Sequence, residues 1–167
     1  EFVDAAQHPV DLFSGAARVK GMKRPVKIAR PGDDACPWKA LRPREVAPPV
    51  RLDSYALEPV RLSGLLKEQE SGWHIPPETS VSILFDAGRL ENAFLCLPIQ
   101  GGSKSSVRIT YAEALVDGNG YKGQRDDTEN RQITGYRDVY LPAGGKADYR
   151  PLDYRTFRFV QVDIVTG

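Results

Sequence analysis

The sequence predicts an all-β fold, an antiparallel β-sandwich with little helix. Short runs of alternating apolar and polar residues recur from residue 51 onward, as at Val81, Ile83 and Phe85 or at Val107, Ile109 and Tyr111. Clusters of turn residues punctuate them, as at Gly101-Gly102-Ser103 and Asp117-Gly118-Asn119-Gly120. Almost no stretch carries a helical apolar period, and no internal repeat is visible. Side chains of a strand alternate between two faces, so short alternating runs separated by breakers build sheets that must cover one another.

The chain has 167 residues, 41% of them apolar. That supports one ordinary core with room for an appended segment. A net charge of +1 gives no field that would select nucleic acid, a membrane surface or an acidic substrate. No apolar run approaches the roughly 20 residues of a membrane span. Neither a signal-peptide pattern nor an initiator Met opens the chain, which leaves the compartment open. Cys36 and Cys96 allow one disulfide at most, and whether they meet is open. Cys96, inside Phe94-Leu95-Cys96-Leu97, reads as a small buried hydrophobe. No Cys/His spacing suits zinc.

Residues 1–50 carry little pattern. They hold short pieces such as Val26-Lys27-Ile28, a turn cluster Pro31-Gly32-Asp33-Asp34, and Pro43, Pro48 and Pro49, which forbid regular structure nearby. They read as an irregular strap or the end of a preceding domain, anchored by Trp38 and Leu41. Residues 51–167 read as the β-sandwich domain. There, residues 55–62 alternate weakly and residues 65–69 suit one helical turn. Trp73-His74-Ile75-Pro76-Pro77 leads into a strand over 80–86. Asp86-Ala87-Gly88-Arg89 turns the chain. The near-continuous apolar run 90–99 suits a central strand.

Residues 107–115 form the clearest element. The β-branched and aromatic residues Val107, Ile109, Thr110 and Tyr111 favour a strand, and the helix propensity of residues 112–115 is the competing reading. As a strand it puts Val107, Ile109, Tyr111 and Leu115 on one face, with Glu113 on that same apolar phase. A loop rich in Gly, Asp and Arg spans 117–130. Strands resume at 132–134 and 138–141, Pro142-Ala143-Gly144-Gly145 turns again, and the last strand is 156–165. In that strand Phe157 and Phe159 point one way, and Val160, Val162 and Ile164 the other. Either a bulge sits at the switch or both faces are covered.

Three kinds of chemistry fit the residues. Asp126 and Asp127 are adjacent, with Glu113 and Asp117 close in sequence, but glycoside hydrolysis needs two carboxylates facing each other across a sugar. Neighbours in a loop do not supply that, and a solvated acidic loop is the plain reading. Asp117, Asn119, Asp126, Asp127 and Glu129 offer hard oxygens of the kind Ca²⁺ takes, with Asp117, Asn119 and Asp127 as the ligand set, although the full EF-hand pattern is missing. Six of the seven tyrosines follow residue 110. Aromatic rings suit the apolar face of a pyranose. Tyr111 and Tyr140 belong to strands and are expected in the core. Tyr121 is the expected exposed ring, with Asn119, Arg125 and Asp126 for sugar hydroxyls. His8 and His74 have no nucleophile motif beside them, so a catalytic triad is not expected.

Four pieces in order resemble the concanavalin-like, jelly-roll β-sandwich domain of bacterial α-L-rhamnosidases. Pro37-Trp38-Lys39-Ala40-Leu41-Arg42-Pro43-Arg44-Glu45-Val46-Ala47-Pro48 is similar to the family's W-x-x-L-x-x-R-x-I-P. Leu84-Phe85-Asp86-Ala87-Gly88-Arg89 is similar to its F-D-F-G-R. Gly101-Gly102 followed by Ile109-Thr110-Tyr111-Ala112-Glu113-Ala114-Leu115 resembles G-x(n)-Y-x-E-x-L. Gly135-Tyr136-Arg137-Asp138, leading to Pro151-Leu152-Asp153-Tyr154-Arg155-Thr156-Phe157-Arg158-Phe159-Val160, resembles G-x-x-D … P-x-F-x-x-x-x-F-R-Y-V-x-V. The likeness spans residues 37–165. Thr156 stands where the family often has Gly, and Phe159 replaces the usual Tyr. Residues 1–36 match nothing in that family.

The resemblance implies an inverting glycoside hydrolase that releases terminal L-rhamnose, with its general acid and base in a separate (α/α)₆ barrel further along the chain. It therefore implies an accessory domain with no catalytic residue of its own. Its partners would be the catalytic domain of the same parent chain and, where the domain contacts sugar, an L-rhamnose-containing glycan. A periplasmic or extracellular location follows weakly. Glu113 and Arg158 are motif residues with an expected structural role, Glu113 pairing with an arginine such as Arg158 on a neighbouring strand. A self-contained glycosidase or lyase and a plain interaction domain stay open as alternatives, so the sequence leaves open whether this chain is itself an enzyme.

Overall fold

A computed structural model of the chain describes residues 1–7, 23–43, 45–46, 54–70 and 72–167. The expectations that concern His8, Arg44, Pro48 and Pro49 lie outside the described residues. The chain divides into two compact units, Glu1–His8 with Ala56–Gly167, and Pro9–Tyr55. Among the described residues, the smaller unit has no strand or helix. Its turn is built as the cluster at residues 31–34 suggests: the Cys36 amide donates to the Asp33 carbonyl at 3.0 Å, and the Arg30 amide to Asp33 Oδ2 at 2.8 Å. Trp38 and Leu41 are exposed.

The larger unit is an all-β sandwich, as the sequence predicts. Its strands are β1 (Phe2–Asp4), β2 (Glu58–Ser63), β3 (Lys67–Gln69), β4 (Gly72–His74), β5 (Ser80–Ala93), β6 (Leu97–Gln100), β7 (Ser106–Ala112), β8 (Tyr136–Leu141), β9 (Lys146–Tyr149) and β10 (Arg155–Val165). A six-stranded sheet runs β1-β8-β7-β10-β5-β2, and β3-β4 and β6-β9 are two-stranded ladders. Each pairing is antiparallel except β1 with β8, which is parallel. No helix occurs among the described residues.

The two ladders cover one face of the large sheet. Val107, Ile109 and Tyr111 of β7, Phe157, Val160 and Val162 of β10, and Tyr140 of β8 are buried against Tyr149 of β9, with Leu97 and Ile99 of β6 packed on them. Trp73 of β4 meets Phe85 of β5 with ring centroids 6.2 Å apart. On the opposite face a smaller core joins Leu84, Leu115 and Phe159, with Ile133 packed against it. Chain beyond β7 therefore covers part of the outer face.

Both answers left open at β10 hold at once. Its register against β5 shifts between Phe157 and Phe159, where residues 87–90 of β5 lie opposite Arg158 alone. The bulge moves Phe157 onto the face of Val160 and Val162, while Phe159 stays on the other. The run Asp86-Ala87-Gly88-Arg89 is this bulge and not a chain reversal, because strand pairing resumes beyond it. Its turn chemistry is satisfied locally: Gly88 has φ +72°, and its amide donates to Asp86 Oδ1 at 2.8 Å. One strand thus runs through to Ala93, and the expected central strand over 90–99 is split, its second part forming β6 beside β9.

Other expectations are corrected. Residues 65–69 hold β3, not a helical turn. Residues 132–134 give a single bridge, Val116 to Gln132, rather than a strand. Cys96 is exposed and Cys36 buried, and both thiols are free. Cys96 lies between β5 and β6, where Ala93, Leu95 and Leu97 pack against the core and Cys96 falls on the alternate, exposed phase.

Gly135 sets the spacing at the start of β8. A Cβ there would lie 1.8 Å from the Tyr111 carbonyl oxygen. Gly135→Ala is expected to force β7 and β8 apart and to lower unfolding free energy by about 1–3 kcal/mol, read from denaturant midpoints. A midpoint unchanged from the parent would show that the close approach is not needed.

Candidate functional site

The loop between β7 and β8 is held by three arginines. Arg131 lies within it: its Nε donates to Asp127 Oδ2 at 2.7 Å, and its Nη1 to the carbonyls of Lys122 at 3.2 Å and Tyr121 at 3.4 Å. Arg61, on β2, donates from Nη1 to the carbonyls of Thr128 at 2.9 Å and Arg131 at 3.0 Å. Arg158, on β10, grips Asp86 through two hydrogen bonds of 2.8 and 2.9 Å and reaches Asp126 Oδ1 at 2.8 Å. Planar guanidinium groups suit such multiple acceptors.

The acidic residues mostly serve this scaffold. Asp117 Oδ1 accepts from the amides of Tyr121 and Asn119, each at 2.9 Å, closing an Asx turn. These bonds hold its carboxyl below the usual range, the Tyr121 amide first. Asp127 is likewise held low, chiefly by Arg131. Among the described residues no group of three His, Cys, Asp or Glu side chains is arranged to hold a metal ion. Of the sugar-contact residues expected from sequence, Tyr121 is 72% exposed, Asn119 and Arg125 are exposed, and Asp126 is exposed while tied to Arg158. The Asp117 turn brings Asn119 and Tyr121 onto one tip.

Glu113 does not meet Arg158. β7 ends at Ala112, so the alternation that put Glu113 on the apolar phase stops one residue short, and its side chain is exposed. Asp86 takes Arg158 instead. The sequence signal for this pair lies in the two motif pieces that contain them, but which carboxylate an arginine meets depends on strand register.

Beside the loop, an open groove of about 680 Å³ lies along the end of β7 and the start of β8. Asp138, fully buried, and Arg155 line it, joined by an Nη2–Oδ1 bond of 2.8 Å. Burial opposes ionisation of Asp138, but the Arg155 hydrogen bond, the Glu1 amino group and the Arg155 charge outweigh it, so its carboxyl titrates below the usual range. The Tyr111 phenol is pushed far up, first by burial and then by the Asp138 charge. Tyr136 and Tyr154, also lining the groove, are 81% and 60% exposed. Sequence reading counts both among the tyrosines suited to sugar but does not join them into a site, because Tyr136 opens β8, Tyr154 precedes β10, and only the folded sheet brings the two to one groove.

The depressed carboxyls predict acid sensitivity. Asp86 is also held low: burial opposes this, and the Arg158 hydrogen bonds, the Gly88 amide and the Arg158 charge outweigh it. A folded-state pKa below the unfolded value of about 3.9 gives stability that is present above that value and lost as pH falls through the folded pKa. The melting temperature should therefore fall below about pH 4. Asp86→Asn should be less stable at pH 7 by about 2 kcal/mol and show a shallower acid decline. Thermal unfolding from pH 7 to pH 2.5 checks this, and an equally steep decline in the variant would rule out Asp86 as a contributor.

No family model matches the sequence, and no curated protein matches it. Among solved structures, the chain is similar to a GH78 family rhamnosidase of Bacillus sp. GL1, with a TM-score of 0.42 and 14% identity over 55% of this chain. The matched part is 9% of that rhamnosidase chain. The chain is an all-β domain with a distant structural likeness to a small part of a glycoside hydrolase.

Proposed function

We propose that this chain is an accessory β-sandwich domain of an α-L-rhamnosidase-like glycoside hydrolase. It braces a catalytic barrel carried elsewhere in the parent chain, and the Tyr121, Asn119 and Arg125 tip, with Asp126 beside it, contacts rhamnose-containing glycan. The observation that carries the reading is the meeting of the motif pieces in space. Asp86 of the second piece grips Arg158 of the fourth at 2.8 and 2.9 Å. Tyr111 of the third piece stacks with Phe157 of the fourth, ring centroids 5.6 Å apart, and Gly135 lies against the Tyr111 carbonyl. Residues spread along the sequence thus build one framework.

An antibody raised against this domain tests the reading on protein from its source. The captured polypeptide should be much larger than 18.5 kDa and should cleave p-nitrophenyl α-L-rhamnoside, while the 167-residue chain alone should not. Turnover by the isolated chain that is lost in Asp126→Asn or Asp127→Asn would make it a self-contained enzyme. A captured protein without glycosidase activity would make it an interaction domain of another kind.

A further inference from the structure

We infer that the groove along the end of β7 and the start of β8 is a subsite for a neutral pyranoside, an extension that rests on the reading of this chain as a glycan-handling domain. The groove volume, about 680 Å³, falls in the range of small-molecule sites, roughly 300–1,000 Å³. Its lining side chains balance in charge, Glu1, Glu113 and Asp138 against Lys122, Arg137 and Arg155, and the Glu1 amino group is engaged by the buried Asp138 at 2.8 Å. A surface of that balance attracts neither a uronate nor a phosphate, and it offers both donors and acceptors for hydroxyl groups.

Two features make the groove prepared rather than merely open. Arg155 is fixed in place, its Nη2 held by Asp138 at 2.8 Å, its Nη1 by the Asp153 carbonyl at 3.4 Å, and its guanidinium carbon 5.8 Å from the centre of the Tyr111 ring. A donor oriented before the ligand arrives loses little freedom on binding. Tyr154 is steadied too. Its ring meets Phe94 edge-on with centroids 6.4 Å apart, and Phe94 is covered by the Arg150 guanidinium 4.9 Å from its centre. Tyr136 opens β8 with its ring in solvent. Neither ring fills the core, and an exposed phenol ring offers an apolar face to sugar C–H groups with a polar tip beside it. Lys122 joins the groove to the loop that carries Tyr121 at its tip, so one glycan chain can run across both.

A ¹⁵N-NMR titration of the 167-residue chain with L-rhamnose, L-fucose, D-galactose and D-glucuronate tests the subsite. Saturable shifts for at least one neutral sugar are expected at residues 134–138 and 154–156. Tyr136→Ala and Tyr154→Ala should each weaken that binding about threefold to tenfold with the melting temperature unchanged. Shifts confined to Asn119 and Tyr121, tighter binding of D-glucuronate, or no saturable shift with any of these sugars would overturn the subsite. If the captured parent is a rhamnosidase and the groove stays silent, only this inference falls. If the groove binds a neutral sugar and the parent has no glycosidase activity, the subsite stands and the rhamnosidase reading falls.

Discussion

Arg158 holds the place on which the rest of the sandwich depends. It sits on β10, the strand hydrogen-bonded to β5 on one side and β7 on the other. Opposite it, β5 bulges, and the bulge turns the Asp86 carboxylate toward the guanidinium. Phe157 and Phe159 flank it in sequence and enter different cores. The guanidinium carbon also lies 5.0 Å from the centre of the Phe159 ring. One side chain therefore fixes a bulge, and the bulge decides which aromatic fills which face. The cost of partly burying the guanidinium is offset here by a carboxylate that meets it through two aligned bonds.

The same residue governs the loop. A long connection without regular structure has little apolar surface to order it, and its backbone groups need partners. Arg61 and Arg131 supply them, from β2 and the loop itself, and Arg158 holds the Asp126 side chain from β10. Leu115 and Ile133, near its two ends, pack with Leu84 and Phe159 on the outer face of the sheet. Of the acidic residues that suggest catalysis or calcium, Asp117, Asp126 and Asp127 are engaged in holding the loop, while Glu113 and Glu129 are exposed. What the scaffold leaves in solvent is aromatic: Tyr121 on the tip, and Tyr136 and Tyr154 along the groove.

The elements legible in the sequence were those whose alternation is local. β7, β8 and β10 announce themselves through Val107, Ile109 and Tyr111, through Val139 and Leu141, and through Val160 and Val162. The fold class follows from them. What depends on register stayed hidden. β1 is three residues long and pairs in parallel with β8, more than a hundred positions away, which no local period reports. Gly88 reads as a turn because a positive φ is its usual use, but pairing on both sides carries β5 straight through. Glu113 was placed by parity along a strand that ends one residue earlier. At the candidate site, the Tyr121 tip is legible from turn chemistry, whereas the groove is not, since Tyr136 opens β8 and Tyr154 precedes β10, and only the folded sheet brings them to one groove.

The central claim is that separate motif pieces form one mechanical unit through Asp86 and Arg158. A double-mutant cycle with Asp86→Ala, Arg158→Ala and the double variant, read by denaturant unfolding at pH 7, tests it most directly. The two residues touch through paired hydrogen bonds, so a coupling energy of about 1–3 kcal/mol is predicted. Additive losses, with coupling near zero, would contradict the account and leave the bulge and the loop to be explained by packing alone.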